Sequence, residues 1–165
     1  MKRNLYFFMT LTIGIFIQIF FNRYLSLFDV GPNVLLMLVV AHGFIRGSLM
    51  GETLGFSWGL ISDSMGVELF GTQALILTLA GYLAGKFRRR VASERPPAQV
   101  MIALFSTILY GLGSVLVRHF FEEGIRRSFL MPMILGMLFN ILIVTAVFWV
   151  LERWINIWNL ETEHV

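Results

Sequence analysis

Residues 55–59 read GFSWG, a literal match to the Gly-x-Ser-x-Gly pattern of hydrolase nucleophile elbows. That elbow works only where a strand turns sharply into a helix and exposes the serine. Here Ser57 sits inside an apolar run with no strand pattern ahead of it, where a helical serine bonds to the carbonyl of its own preceding turn. An intramembrane serine protease would need a histidine on another helix. His42 is the formal candidate, but it falls near the end of its segment while Ser57 lies deeper in the next. His42 and His119 also lack the clustered partners of a metal site. The cysteine count is zero, which excludes disulfides and thiolate ligation. No catalytic residue, metal or cofactor is expected.

Asp63 is the polar group of greatest interest. A carboxylate in or at the edge of an apolar span is costly, faces protein rather than lipid, and suggests function. The competing reading is structural: an aspartate before the turn SMGVELFG can accept nearby backbone N–H groups. Arg46 and Glu52 flank a second turn, where they would form an ion pair across it or stand as a solvated hairpin end. Gln18 and Asn140 fall at mid-span depth, where interhelical hydrogen bonds are the ordinary role. Gly31–Pro32–Asn33 opens an apolar segment; proline suits a first helical turn, and Asn33 can bond free backbone groups there.

These groups are set among glycines at every fourth position, Gly43, Gly47, Gly51, Gly55 and Gly59. In water each interior glycine would weaken a helix by about 1 kcal/mol relative to alanine. In a bilayer the backbone stays hydrogen-bonded regardless, and a small-xxx-small stripe lets another helix approach closely. A four-residue step drifts only about 40° on a helix, so Gly51, Gly55 and Gly59 share one face. Gly81 and Gly85 form a weaker pair of the same kind.

The elements that position these residues follow from composition. The chain is 57% hydrophobic and 14% charged over 165 residues, against about 25% charged in soluble domains. With a mean hydropathy of +0.76, it reads as an all-α integral membrane protein, a single transmembrane domain over 1–165. Six spans are expected at roughly 5–21, 33–46, 49–63, 69–86, 98–118 and 130–152. The first is longer than a signal-peptide core, lacks an Ala-x-Ala site, and is read as retained. Spans two and three are short, to be accommodated by tilt, bilayer thinning or burial. One helix over 33–63 would overshoot the roughly 30 Å hydrocarbon core, so a tight turn is expected at Arg46–Gly47–Ser48.

Placing both termini in the cytoplasm puts nine of the thirteen Lys and Arg residues inside. The 86–97 loop, KFRRRVASERPP, carries five of them. It serves as a topology signal or as a contact for anionic lipid or a cytoplasmic protein. Trp149, Trp154 and Trp158 suit an aromatic belt at the inner end of the last span. Residues 119–129 read as a short amphipathic outer loop. No sequence repeat and no nucleic-acid-binding pattern is present.

Together, PNVLLMLV at 32–39, GFSWGLISD at 55–63, Gly71 eight residues after the aspartate and LAGYLAG at 79–85 resemble the rod shape-determining MreD family. Pro32, Asn33, Gly55, Gly59, Asp63 and Gly71 match its pattern position by position. Val34 departs from the aromatic that often follows the Pro-Asn pair, and Gly43, Gly47 and Gly51 look like local elaboration. The resemblance implies a six-helix bacterial inner-membrane protein, similar in fold to the substrate-binding subunit of energy-coupling factor transporters. It implies a non-enzymatic scaffold that binds an MreC-like bitopic partner. That partner links it to the RodA/class B penicillin-binding transpeptidase assembly, and to MreB indirectly, in lateral peptidoglycan synthesis.

On this reading Pro32, Asn33, Gly51, Gly55, Gly59, Asp63 and Gly71 form the partner-binding or helix-packing set. The glycine face of the third span and the Pro32/Asn33 corner would make a groove for a partner's helix. The alternative is a small-ligand (vitamin)-binding subunit of an energy-coupled transporter, which requires a polar cavity lined by residues such as Asp63 and Gln73. An intramembrane protease built on Ser57 stands third.

Overall fold

The computed structural model describes residues 2–25, 31–65, 69–88, 96–121 and 130–158. The described residues form six α-helices: α1 (Lys2–Tyr24), α2 (Val34–Arg46), α3 (Ser48–Met65), α4 (Thr72–Arg88), α5 (Pro96–Phe121) and α6 (Leu130–Ile157). Three contain apolar stretches long enough to cross a bilayer, Asn4–Tyr24, Pro97–Val117 and Ile134–Ile157. Most of the basic 86–97 loop and of the 119–129 stretch, with the His119 side chain, lies outside the described residues.

The shortest helix makes the middle of the bundle. α2 has 13 residues, about 20 Å of helix, and packs against all five of the others. Leu36, Met37, Val39, Val40 and Ala41 are fully buried in it. A helix apolar on every side belongs inside a protein or a membrane, and α2 takes that place. Its shortness is met by burial against its neighbours.

The turn expected at Arg46–Gly47–Ser48 is a one-residue connection. Gly47 adopts φ 100° and donates its N–H to the Gly43 carbonyl, then accepts from the Gly51 N–H at 3.2 Å. Only glycine enters this region at low cost, so α2 and α3 fold back on each other with no loop between them.

α3 and α4 form the most extensive helix pairing in the bundle. A Cβ at Gly55 would lie 2.5 Å from the Leu77 carbonyl oxygen, and one at Gly51 would lie 2.6 Å from that of Gly81. At Gly59 it would strike the Ala74 backbone. The pairing is reciprocal: a Cβ at Gly81 would meet the Gly51 backbone, and one at Gly85 would meet Ser48. Gly43 of α2 joins the same seam against Gly81. The weaker Gly81/Gly85 pair is therefore the opposing half of the glycine ladder.

α1 packs on α2 and α3 at one side, and α5 and α6 pair on the other. The α1–α3 contact is fixed by Trp58, whose indole N–H donates to the Leu11 carbonyl at 2.9 Å. Trp58 is fully buried, and Gly14 makes the room: a Cβ there would lie 2.5 Å from the indole ring. Outward faces are apolar, with Phe16 69% and Leu142 76% exposed, as lipid-facing surfaces must be.

Candidate functional site

Asp63 closes the α3–α4 seam at its far end. Its Oδ1 accepts the Gln73 N–H at 2.9 Å and its Oδ2 accepts the Ala74 N–H at 3.0 Å. The first N–H groups of a helix have no intrahelical partner and sit at the positive end of its dipole. A carboxylate one helix away therefore caps α4, although it stands ten residues earlier in the chain than Gln73. The side chain is only 5% exposed. Gly71, just before α4, has φ 98°, and a Cβ placed there would have no neighbour within 4 Å. Its requirement is conformational rather than spatial.

Gln73 carries the arrangement onward, its Oε1 accepting the Tyr110 hydroxyl of α5 at 2.8 Å. Tyr110 in turn lies close to the Asn33 side chain. Asn33 is the N-cap of α2, its Oδ1 accepting the Leu36 N–H at 3.0 Å. Its own N–H donates to Asn140 Oδ1 of α6 at 3.1 Å, and Asn140 Nδ2 donates to Thr107 Oγ1 of α5 at 2.9 Å. From α1, Gln18 makes a two-point contact with the same corner: Oε1 accepts the Leu35 N–H and Nε2 donates to the Pro32 carbonyl. Pro32 stands just ahead of the cap rather than in the first turn, and contributes its carbonyl.

Gln18, Asp63, Gln73, Tyr110 and Asn140, one polar residue from each of five helices, thus gather with the α2 N-cap Asn33 around the start of α2 and the α3–α4 turn. Inside a low-dielectric bundle an unpaired polar group costs far more than in water, and a connected set rigidifies what it joins. Both Asp63 oxygens are engaged by backbone donors, so the carboxylate acts as a cap. Asp63 and Gln73, the groups a polar ligand cavity would have used, bond α4 and α5 instead.

The expected groove for a partner's helix on the glycine face is corrected by the packing. α4 of the same chain fills the face of Gly51, Gly55 and Gly59, at distances that leave no space for another helix. Of the two readings offered for Arg46 and Glu52, an ion pair or a hairpin end without one, the structure has no ion pair between them. The Arg46 guanidinium lies over the Tyr6 ring, 5.4 Å from its centroid, and its Nη1 is buried without a hydrogen-bond partner. Glu52 follows Gly51 by about 100° around α3, off the face that meets α2 and α4.

The serine and histidine stay apart in chemical role. Ser57 Oγ donates to the Thr53 carbonyl at 2.8 Å. His42 is fully buried, with Nδ1 2.8 Å from the Leu38 carbonyl and Nε2 3.0 Å from the Tyr6 hydroxyl. A carbonyl only accepts, so Nδ1 carries the proton and Nε2 accepts from Tyr6. The sequence reading missed Tyr6, Thr107, Tyr110 and the Trp58 tie. Their pairings span 33 to 47 residues, and no local spacing signals them.

A bundle of six helices among the described residues, with lipid-suited outer faces and an internally bonded polar layer, has the architecture of a membrane-embedded helical protein. The family model of the rod shape-determining protein MreD matches residues 1–154. The chain belongs to that family, whose members are membrane proteins of the rod complex with a role in shape determination and are not known as enzymes. No curated protein and no solved structure matches it.

Proposed function

We propose that this chain is a non-catalytic scaffold of the cell-elongation complex in the bacterial inner membrane. It spans the membrane six times with both termini in the cytoplasm, and holds an MreC-like bitopic partner that links it to the RodA/transpeptidase assembly and to MreB. One observation carries the reading: five helices and the N-cap of α2 contribute side chains to the internal polar layer, and the Ser57 and His42 groups are tied to neighbours in their own helices and to Tyr6. Such an interior holds a shape. The partner then meets the outer, lipid-facing surfaces of α1, α5 or α6. Pro32, Asn33, Gly51, Gly55, Gly59, Asp63 and Gly71 support binding indirectly, by holding those helices in place. The likeness to the substrate-binding subunit of energy-coupling factor transporters is supported by helix number.

The native chain has no cysteine, which makes a crosslinking scan direct. Single cysteines at Phe16, Leu112 and Leu142 on outward faces, and at Gly55 on the seam, would be tested against a co-expressed MreC-like partner. Crosslinks are expected from at least one outward position and not from Gly55. Efficient crosslinking from Gly55 alone, in a folded protein, would overturn the outer-surface assignment. Failure to co-purify with the partner at all would overturn the scaffold.

A further inference from the structure

Among the described residues, α1 and α6 meet through side chains and leave a crevice of about 260 Å³ between them, with α2 as its floor. Thr10, Gly14 and Leu38 line its depth, and Ile13, Trp149, Val150 and Arg153 its outer edge. The polar groups that reach it are already used. Thr10 Oγ1 donates to the Tyr6 carbonyl and accepts the Trp154 indole N–H at 3.2 Å, while His42 is held by Leu38 and Tyr6. A buried water needs two to four polar partners, and these groups have at most one site to spare, the second lone pair of Thr10 Oγ1. The occupant must be apolar.

Size narrows the choice. An apolar cavity of about 150 Å³ accommodates one benzene. The larger crevice runs from Trp149 to Ile157, about 12 Å along α6, and takes a stretch of hydrocarbon chain rather than a helix about 10 Å across. Charge identifies the head of that chain. Arg153 stands at the rim over Trp149, 5.9 Å from the ring centroid, and forms no ion pair among the described residues. At the same end of the bundle Arg46 Nη1 is buried without an acceptor, and Glu152, the neighbour of Arg153 on α6, forms no ion pair with it among the described residues, so the Arg153 guanidinium is open to an anion.

From this geometry we infer that the α1–α6 crevice is a binding site for an anionic glycerophospholipid. One acyl chain lies between Ile13 and Val150, and the phosphate sits at Arg153. The site rests on the reading of α1 and α6 as membrane spans and is independent of partner binding.

The test is native mass spectrometry of the detergent-purified full chain, offered dioleoyl phosphatidylglycerol and dioleoyl phosphatidylcholine in equal amounts. Wild type should retain the anionic lipid about fivefold more than the zwitterionic one, the preference expected of one arginine at a membrane surface. Arg153→Gln should bring that ratio to about one. Arg23→Gln, at the opposite end of α1, should leave it unchanged. Val150→Trp, at an exposed position that overhangs the crevice, should reduce retention of both lipids. Equal retention by wild type, or an unchanged ratio in Arg153→Gln, overturns the site. Crosslinks from a cysteine at Ile13 to the bitopic partner, with lipid excluded, would assign the crevice to that partner and also overturn it.

Discussion

Asp63 and Ala74 meet across the α3–α4 turn, carboxylate Oδ2 to backbone N–H at 3.0 Å, directly beyond the point where Gly59 rests on the same alanine. Close packing and capping are one device here. Gly59 allows the two backbones to touch, and the contact brings a carboxylate one turn further along α3 to the open N-terminus of α4.

Asp63→Ala should lower stability by about 1–3 kcal/mol, since it removes a cap and leaves two backbone donors unpaired in the interior. Asp63→Asn keeps one acceptor oxygen and should cost less. Thermal unfolding in detergent orders the three proteins; identical melting of wild type and Asp63→Ala would show that the cap contributes nothing.

Gly59→Ala should destabilise by about 1–3 kcal/mol through overpacking. The atoms it would strike are the Ala74 backbone N and Cα, so Ala74→Gly should not rescue it. Recovery of the wild-type midpoint in the double variant would mean that the conflict is with the Ala74 side chain.

Gly71 separates conformation from space. Gly71→Ala forces a left-handed backbone on a β-carbon and should cost about 1–2 kcal/mol, although no atom lies near. Gly71→Asn should cost less, because asparagine tolerates that region better than alanine. Equal losses for the two would point to a cause other than backbone strain.

Asn140→Ala should cost roughly 0.6–2 kcal/mol, the range of interhelical hydrogen bonds in membranes. Because Asn140 and Gln18 hold adjacent parts of the α2 entrance, a double-mutant cycle with Gln18→Ala should show coupling rather than additivity. Strict additivity would mean that the polar layer is a set of independent bonds.

Ser57→Ala removes one bond to the Thr53 carbonyl and should change stability by less than about 0.5 kcal/mol. Rod shape in a complementation assay should be normal. A loss of shape with normal folding would reopen a chemical role for this serine.

The class of protein and its six helices are legible in the sequence alone. Apolar run length and sparse charge are local properties, and a bilayer leaves the backbone little choice but helix. The break at Gly47 followed from length, because one helix over 33–63 is too long for the hydrocarbon core. Four-residue glycine spacing announced a close helix contact, and the Pro-Asn corner announced a helix entrance. What spacing does not carry is the identity of the other side. A small-residue stripe is equally suited to a partner's helix and to one of its own, and only the packed structure shows α4 lying on it. Asp63 was legible as a costly carboxylate, but its role depended on where the α4 N-terminus falls in space. Arg46 was set beside Glu52 by proximity along the chain; the fold turned it toward Tyr6 on α1. Hydropathy is a sum over neighbours in sequence, whereas hydrogen bonds across a bundle depend on helix rotation and depth, which the packing of all six helices decides together.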